Sequence, residues 1–209
     1  MNKPEYSYKV VLLGSSCVGK TSIVMRYTRG VFDTAQNSTI GAGFFTKSIE
    51  TPDVIINYEI WDTAGQERYR SLTPLYYRKA VVAFIVFDIS NYDSFNTAKT
   101  WINELKNNNS NDIADIIILL VGNKCDLDHT VSQREIDAIV HQMRILYIET
   151  SAKDDYNIAE LFSNIVRRLP KTEKYRKIVH EPVCKIVNKS SCCSNILLTY
   201  RKDTELVIN

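Results

Sequence analysis

The sequence predicts an α/β fold: a mostly parallel, six-stranded, doubly wound sheet with one antiparallel strand and helices on both faces. Three observations carry this. Apolar runs alternate with helix-period patterns from Tyr8 to Leu169, the signature of a parallel sheet covered on both sides. The runs "AVVAFIVF" (Ala80 to Phe87) and "IIILLVG" (Ile116 to Gly122) are apolar throughout, as strands buried on both faces must be, and far too short to span a bilayer. One pair of candidate strands is separated by little more than Pro52-Asp53, a hairpin-like turn that makes that pair antiparallel.

In chain order, "YKVVLLG" (Tyr8 to Gly14) is a buried strand and Lys20 to Arg29 a helix. Strands follow over Phe44 to Glu50 and Val54 to Trp61, then a polar loop from Asp62 and a short helix ending near Lys79. After the strand Val81 to Phe87, Asn91 or Ser94 can cap a helix whose Phe95, Ala98, Trp101, Ile102 and Leu105 share one face. "NNNSND" (Asn107 to Asp112) ends that helix. The pattern closes with strand Ile116 to Val121, helix Ser132 to Met143, strand Ile145 to Ile148 and helix Ile158 to Leu169. Ser132 with Glu135 three residues on is a capping box, and Pro170 stops the regular part. Residues 1–7 read as an N-terminal extension, 8–169 as the nucleotide-binding domain, and 170–209 as a lysine-rich flexible tail.

The bulk numbers restrict the class. A chain 44% apolar and 24% charged can bury a sizeable core, and a net charge of +2 gives no electrostatic case for nucleic acid. "MNKPEYSYKV" has no apolar stretch of the kind that directs export, and position 2 is not glycine, which removes the usual myristoylation signal. Five cysteines with no export signal argue against a disulfide framework and for a cytosolic protein.

The chemistry sits in four loops. "GSSCVGKT" (Gly14 to Thr21) fits G-x-x-x-x-G-K-[ST] directly between a strand and a helix. Its glycines let backbone N–H groups curl round phosphate oxygens, and the helix N-terminus adds partial positive charge. Lys20 can reach the terminal phosphates and the Thr21 hydroxyl can ligate Mg²⁺. "WDTAGQE" (Trp61 to Glu67) offers Asp62 to a metal through its water shell and the Gly65 amide to a third phosphate. "GNKCD" (Gly122 to Asp126) places the Asp126 carboxylate where it can accept from N1–H and the 2-amino group of guanine. Adenine has no such donor pair and would leave the carboxylate unpaired. "TSAK" (Thr150 to Lys153) can finish the base pocket. All four loops leave the carboxyl ends of strands, where a doubly wound sheet binds its ligands.

With these motifs the chain resembles a Ras-superfamily small GTPase of the Rab family over Tyr8 to Leu169. "STIGAGFFTK" and "WDTAGQERYRSLTPLYYRKA" most resemble the early-endosome subfamily. The resemblance implies the P-loop small GTPase fold, Mg²⁺, bound GTP or GDP, and slow intrinsic hydrolysis. Its implied nucleotide-binding set is Ser16, Cys17, Val18, Gly19, Lys20, Thr21, Ser22, Phe32, Thr39, Gly65, Asn123, Lys124, Asp126, Ser151, Ala152 and Lys153. Phe32 would lie against the guanine ring, and Thr39 would bind the metal and γ-phosphate beside Thr21 and Asp62. Gln66 would orient the attacking water, with Lys20 as the other catalytic group. Phe44, Trp61 and Tyr76 would form the surface that effectors read. The implied partners are an exchange factor, a GTPase-activating protein and effectors, and the implied task is vesicle traffic at the cytoplasmic face of endosomes. Two residues depart from the Rab pattern: Lys79 stands where glycine is common after "YYR", and Gly43 replaces the usual alanine.

The paired cysteines Cys192 and Cys193 resemble the prenylation site of Rabs, which would add a dissociation inhibitor, a prenylation escort and a membrane to the partners. Sixteen residues nevertheless follow Cys193. Three readings stay open: the extension is absent from the mature chain, it is removed by proteolysis, or the thiols are palmitoylated or free. Two rivals to a hydrolysing switch also stay open. An adenylate-type kinase has no account of "NKCD" or "SAK", and a nucleotide-locked scaffold has no use for Gln66.

Overall fold

The computed structural model describes residues 3–35, 37–65, 73–107 and 116–176, all within one compact unit that runs from Met1 to Ile178. Strands β1 (Glu5–Leu13), β2 (Ala42–Glu50), β3 (Ile55–Thr63), β4 (Val82–Asp88), β5 (Ile117–Asn123) and β6 (Leu146–Thr150) form one sheet in the order β2-β3-β1-β4-β5-β6. Only β2 and β3 run antiparallel, with Phe44 opposite Trp61; the other neighbours are parallel. The helices are α1 (Lys20–Arg29), α2 (Thr73–Tyr77), α3 (Tyr92–Asn107), α4 (Gln133–Met143) and α5 (Ile158–Val166). This is the doubly wound architecture expected from the alternating pattern.

Strand alternation divides the core into two layers. Val10 and Leu12 of β1 and Val82, Phe84 and Val86 of β4 face α1 and α5, where Ile23, Val24, Leu161, Phe162 and Ile165 meet them. Val11, Leu13, Ala83, Ile85 and Phe87 face the opposite way, onto Phe95, Trp101 and Ile102 of α3 and Ile136 of α4. Successive residues of one strand point to opposite faces, so a strand clad on both sides must be apolar at every position. Phe162 anchors the first layer: its ring stacks on Tyr27 at 3.6 Å and meets Phe84 edge-on at 5.1 Å. Burying such a ring contributes about 1.5–3 kcal/mol.

Helix starts follow local chemistry. Ser132 and Glu135 form the reciprocal capping box at α4. Asn91 caps α3, its Oδ1 accepting from Ser94 N at 3.1 Å. Ser94, the other cap candidate, is buried, with its Oγ accepting from Asp88 N at 2.9 Å. It therefore ties the end of β4 to α3, a contact that cap propensity does not reveal.

The chain ends differ from the sequence boundaries. β1 begins at Glu5, and Glu5 to Ser7 pair with Ile55 to Asn57. Their polar side chains hide the strand because its hydrogen bonds come from the backbone. At the other end α5 gives way to tight turns, with Arg168 N donating to Ile165 O at 2.9 Å. Residues 170–176 then lie on β1: Tyr8 Oη donates to Pro170 O at 2.9 Å, and Tyr175 sits 5.3 Å from Tyr8 ring to ring. Arg176 bridges to Tyr6. The rest of the predicted tail, including Cys192 and Cys193, lies outside the described residues.

Lys79 adopts φ 59°, the left-handed region, in a turn closed by Ala80 N donating to Tyr77 O at 3.0 Å. A Cβ is disfavoured there by about 1 kcal/mol. Lys79→Gly is expected to stabilise the protein by that order. That is a rise of about 2–4 °C in the midpoint of thermal unfolding; an unchanged or lowered midpoint would show the turn to be unstrained.

Candidate functional site

The loops after β1, β3, β5 and β6 and the segment between α1 and β2 surround a cavity of about 440 Å³. Lys20, Thr21, Phe32, Thr39, Gly65, Asn123, Lys124, Asp126, Ala152 and Lys153 line it, together with Ser16, Cys17, Gly19 and Ser22. These are loops from distant parts of the chain, brought to one edge by the parallel strands.

One end is built for anions. Gly19 precedes α1 at φ 92°, and a Cβ there would stand 2.3 Å from Asn123 Nδ2, so the turn needs glycine for conformation and for space. Lys20 is only 6% exposed. Its Nζ donates to Gly14 O at 3.0 Å and Ser15 O at 2.7 Å. Burial pulls its pKa down to about 8, against the opposing pull of Asp62 and Cys17. Gly65 presses on this loop: a Cβ would lie 2.4 Å from Ser15 and Ser16 backbone atoms.

A cluster of oxygens adjoins the lysine. Thr21 Oγ1 donates to Asp62 Oδ2 at 2.6 Å, and the Thr21 and Thr39 hydroxyls are 2.8 Å apart. Asp62 Oδ1 is buried with no hydrogen-bond partner. Burial raises the Asp62 pKa, while the Thr21 hydroxyl, Lys20 and the Thr39 hydroxyl pull it the other way. An unpaired buried carboxylate oxygen is costly. A hard cation beside it would remove that cost, and the two hydroxyls and the carboxylate are the donor types Mg²⁺ takes. The residues present fit the ion. Among the described residues no group of three His, Cys, Asp or Glu is placed to hold a metal. The oxygen corner is thus no all-protein cage, which suits a cation completed by waters and ligand phosphates.

The opposite end is organised by Asn123, which is 1% exposed. Its Nδ2 donates to Val18 O at 2.8 Å, and its Oδ1 accepts from Thr150 Oγ1 at 3.2 Å and Ala152 N at 3.3 Å. Three loops are thereby joined through one amide. Asp126 accepts from Ser151 Oγ at 2.6 Å and pairs with Lys153 at 3.4 Å. Burial raises its pKa, but the Ser151 hydroxyl, its own backbone amide and Lys153 outweigh that and hold it below the usual carboxylate value. The group is thus an ionised acceptor at neutral pH. Lys124, at φ 64°, pairs with Asp88 at 2.6 Å.

Three of the sequence-selected residues stand behind the wall: Val18, Ser151 and Asp62, the last 1% exposed and reached through the Thr21 and Thr39 hydroxyls. The Val18 side chain is core, leaving its backbone to the loop, and Ser151 acts through Asp126. Gln66 lies outside the described residues. Asp33, Thr34, Asn37 and Leu127 also line the cavity, though no sequence motif singles them out, as do Ser38 and Thr63, which lie within "STIG" and "WDTAGQE" but carry no role there. Arg26 was missed as well: it reaches the carbonyls of Ala152 and Lys153. Away from the cavity, Phe44 meets Trp61 edge-on at 5.3 Å, and Trp61 lies 6.1 Å from Tyr76. Phe44 is 54% exposed and Ile40 83%, whereas Trp61 and Tyr76 are part-buried and pack against the core layer of Val11, Leu13 and Phe95, so the row runs from the surface down onto the core.

A family model described as "Ras family" matches residues 9–171, well over half of the sequence. The chain belongs to the Ras family. Ras-family proteins are small GTPase switches that bind guanine nucleotide with Mg²⁺. Exchange factors load them, activating proteins discharge them, and effectors read them. The Ras-family fold accounts for the mixed sheet with its one antiparallel pair.

Asn123→Ala is expected to leave Val18 O, Thr150 Oγ1 and Ala152 N without their partner. The cost should be about 3 kcal/mol, read as a lower denaturation midpoint of the nucleotide-free protein. A loss below about 0.5 kcal/mol would show the three loops to be held by other contacts.

Proposed function

We propose that this protein is a GTP-hydrolysing switch of the Rab type that regulates vesicle traffic at endosomal membranes. The observation that carries the reading is the polarity of the cavity. A buried lysine and an oxygen corner occupy one end, and an ionised Asp126 backed by Ser151 and Lys153 occupies the other. That spacing suits a phosphate chain at one end and a purine with an N–H pair at the other. In this reading Lys124 and Ala152 border the base and Phe32 covers its side, while Ser16, Cys17 and Ser22 belong to the phosphate loop.

The reaction is GTP + H₂O → GDP + phosphate by in-line attack. Lys20 and the loop amides hold the phosphates and spread the developing charge. Gln66 orients the water, and the Gly65 amide holds the γ-phosphate. Thr21 and Thr39, with Asp62 through a water shell, would hold Mg²⁺, which would supply charge neutralisation at the phosphate oxygens. Among the described residues no arginine lines the cavity. Unaided hydrolysis is therefore slow, and an activating partner supplies an arginine in trans. Thr39 and Gly65 come from loops outside the rigid strands, so the γ-phosphate orders them and its loss releases them. The row of exposed Phe44 and part-buried Trp61 and Tyr76 adjoins both loops and is the surface effectors read.

The reading is tested by competition. GTP should bind in a magnesium-dependent way and ATP should not displace it. Asp126→Ala should weaken GTP about a hundredfold or more, two charge-assisted hydrogen bonds being lost, and leave ATP unchanged. Gln66→Leu should keep binding while single-turnover hydrolysis falls sharply. Equal affinity for the two nucleotides would overturn the assignment.

Membrane attachment completes the proposal. Cys192 and Cys193 carry geranylgeranyl chains, two lipids being enough for stable anchoring. The lysines before them add attraction to an anionic leaflet, and a dissociation inhibitor and prenylation escort handle the lipidated form. Intact-mass measurement on protein from its native cells should show two added isoprenoids; an unmodified chain ending at Asn209 would end this part of the proposal.

A further inference from the structure

Arg26 does not itself line the cavity, yet it holds two of its walls from behind. Nε donates to Ala152 O at 2.9 Å, and a terminal nitrogen donates to Lys153 O at 3.0 Å. The other terminal nitrogen donates to Gly30 O at 3.0 Å, closing the end of α1. The face of the guanidinium lies 5.9 Å from the centre of the Phe32 ring. One side chain therefore joins the loop after β6 to the segment after α1, and Ala152, Lys153 and Phe32 all line the cavity.

The chemistry of this contact requires arginine. A planar guanidinium presents donors in a fixed fork that can engage two successive carbonyls at once. It can also stack on an aromatic face while doing so. A lysine ammonium is a point charge and cannot span the carbonyls of residues 152 and 153 and the Gly30 carbonyl in the same geometry. Helix α1 is also the helix that begins at Lys20 and Thr21. Arg26 thus lies less than two turns from the phosphate loop on the same rigid rod. The fork couples the base end of the cavity to the helix that carries the phosphate end.

We propose that Arg26 is a positioning residue: it latches the loop of Ala152 and Lys153 and the ring of Phe32 around the purine, and so sets how long the nucleotide stays bound. The inference rests on the cavity being a guanine-nucleotide site, and it goes further in naming a residue that controls release. The two walls it joins belong to different parts of the chain, so releasing the fork lets them part without disturbing Lys20 or the oxygen corner. Loss of the latch should act on dissociation more than on association, since the open cavity is equally accessible.

The test is dissociation of a fluorescent GDP analogue from the full-length protein, followed for the wild type, Arg26→Gln and Arg26→Lys. Arg26→Gln should speed release about tenfold or more, two or three charge-assisted hydrogen bonds being lost, with little change in the association rate. Arg26→Lys should recover only a small part, because charge is restored without the fork. Chelating magnesium should accelerate all three proteins by a similar factor, since the latch acts at the far end of the nucleotide. Phe32→Ala combined with Arg26→Gln should speed release by less than the product of the single effects. The proposal is overturned if Arg26→Lys releases as slowly as wild type, or if the double variant shows the full product. It is likewise overturned if Arg26→Gln lowers the melting temperature of the nucleotide-free protein while leaving release unchanged. Failure of the wild type itself to hold the GDP analogue would instead sink the guanine-nucleotide reading, a result separable from all of these.

Discussion

The amide of Asn123 is the contact on which the rest of the site depends. It sits buried at the carboxyl end of β5 and reaches the carbonyl of Val18 on one side and the hydroxyl of Thr150 and amide of Ala152 on the other. Val18 lies in the loop after β1, with β4 between it and β5, while Thr150 ends the neighbouring strand β6 and Ala152 lies just beyond it. A single uncharged group with both donors and acceptors can join them without introducing a buried charge. Gly19 has no side chain partly because this amide occupies the space one would need. The phosphate end and the base end are therefore not independent features. They are two consequences of one hydrogen-bonded hub.

Around this neutral hub the charged groups are held by protein partners, except for one oxygen of Asp62. Lys20 spends its protons on loop carbonyls, and Asp62 keeps one oxygen unpaired. Buried groups of this kind lower the stability of the empty protein. The same groups give a phosphate chain and a cation preformed partners, so binding energy is recovered at the site that paid the desolvation. The core that bears this cost is large: both faces of the central strands are packed, with Phe162 and Phe84 on one side and Phe87 and Phe95 on the other.

The surface beside the cavity is built around the aromatic row. Trp61 belongs to β3, the same strand that carries Asp62, so the aromatic row and the oxygen corner share one rigid element. Lys9 Nζ lies 4.7 Å from the Trp61 ring centre and donates to Arg78 O, which holds the turn of Lys79 against the row. Asp62 follows Trp61 directly in β3, which places the oxygen corner one residue from the aromatic row.

What the sequence determined by itself was local: the order of strands and helices, the antiparallel pair across Pro52-Asp53, the capping box at Ser132, and the four loop motifs. Each depends on residues within a few positions of one another, and on a periodicity that solvent exclusion imposes directly. What only the tertiary structure decided involves partners remote in the chain. Arg26 meets carbonyls more than a hundred residues away, and no spacing announces it. Ser94 serves the end of β4 instead of a cap, and Glu5 to Ser7 join a sheet that their polar side chains conceal. The unpaired oxygen of Asp62 exists only because Thr21 and Thr39 close on its other oxygen. Backbone pairing and the satisfaction of buried polar groups are collective properties, and they are fixed only when the whole sheet is in place.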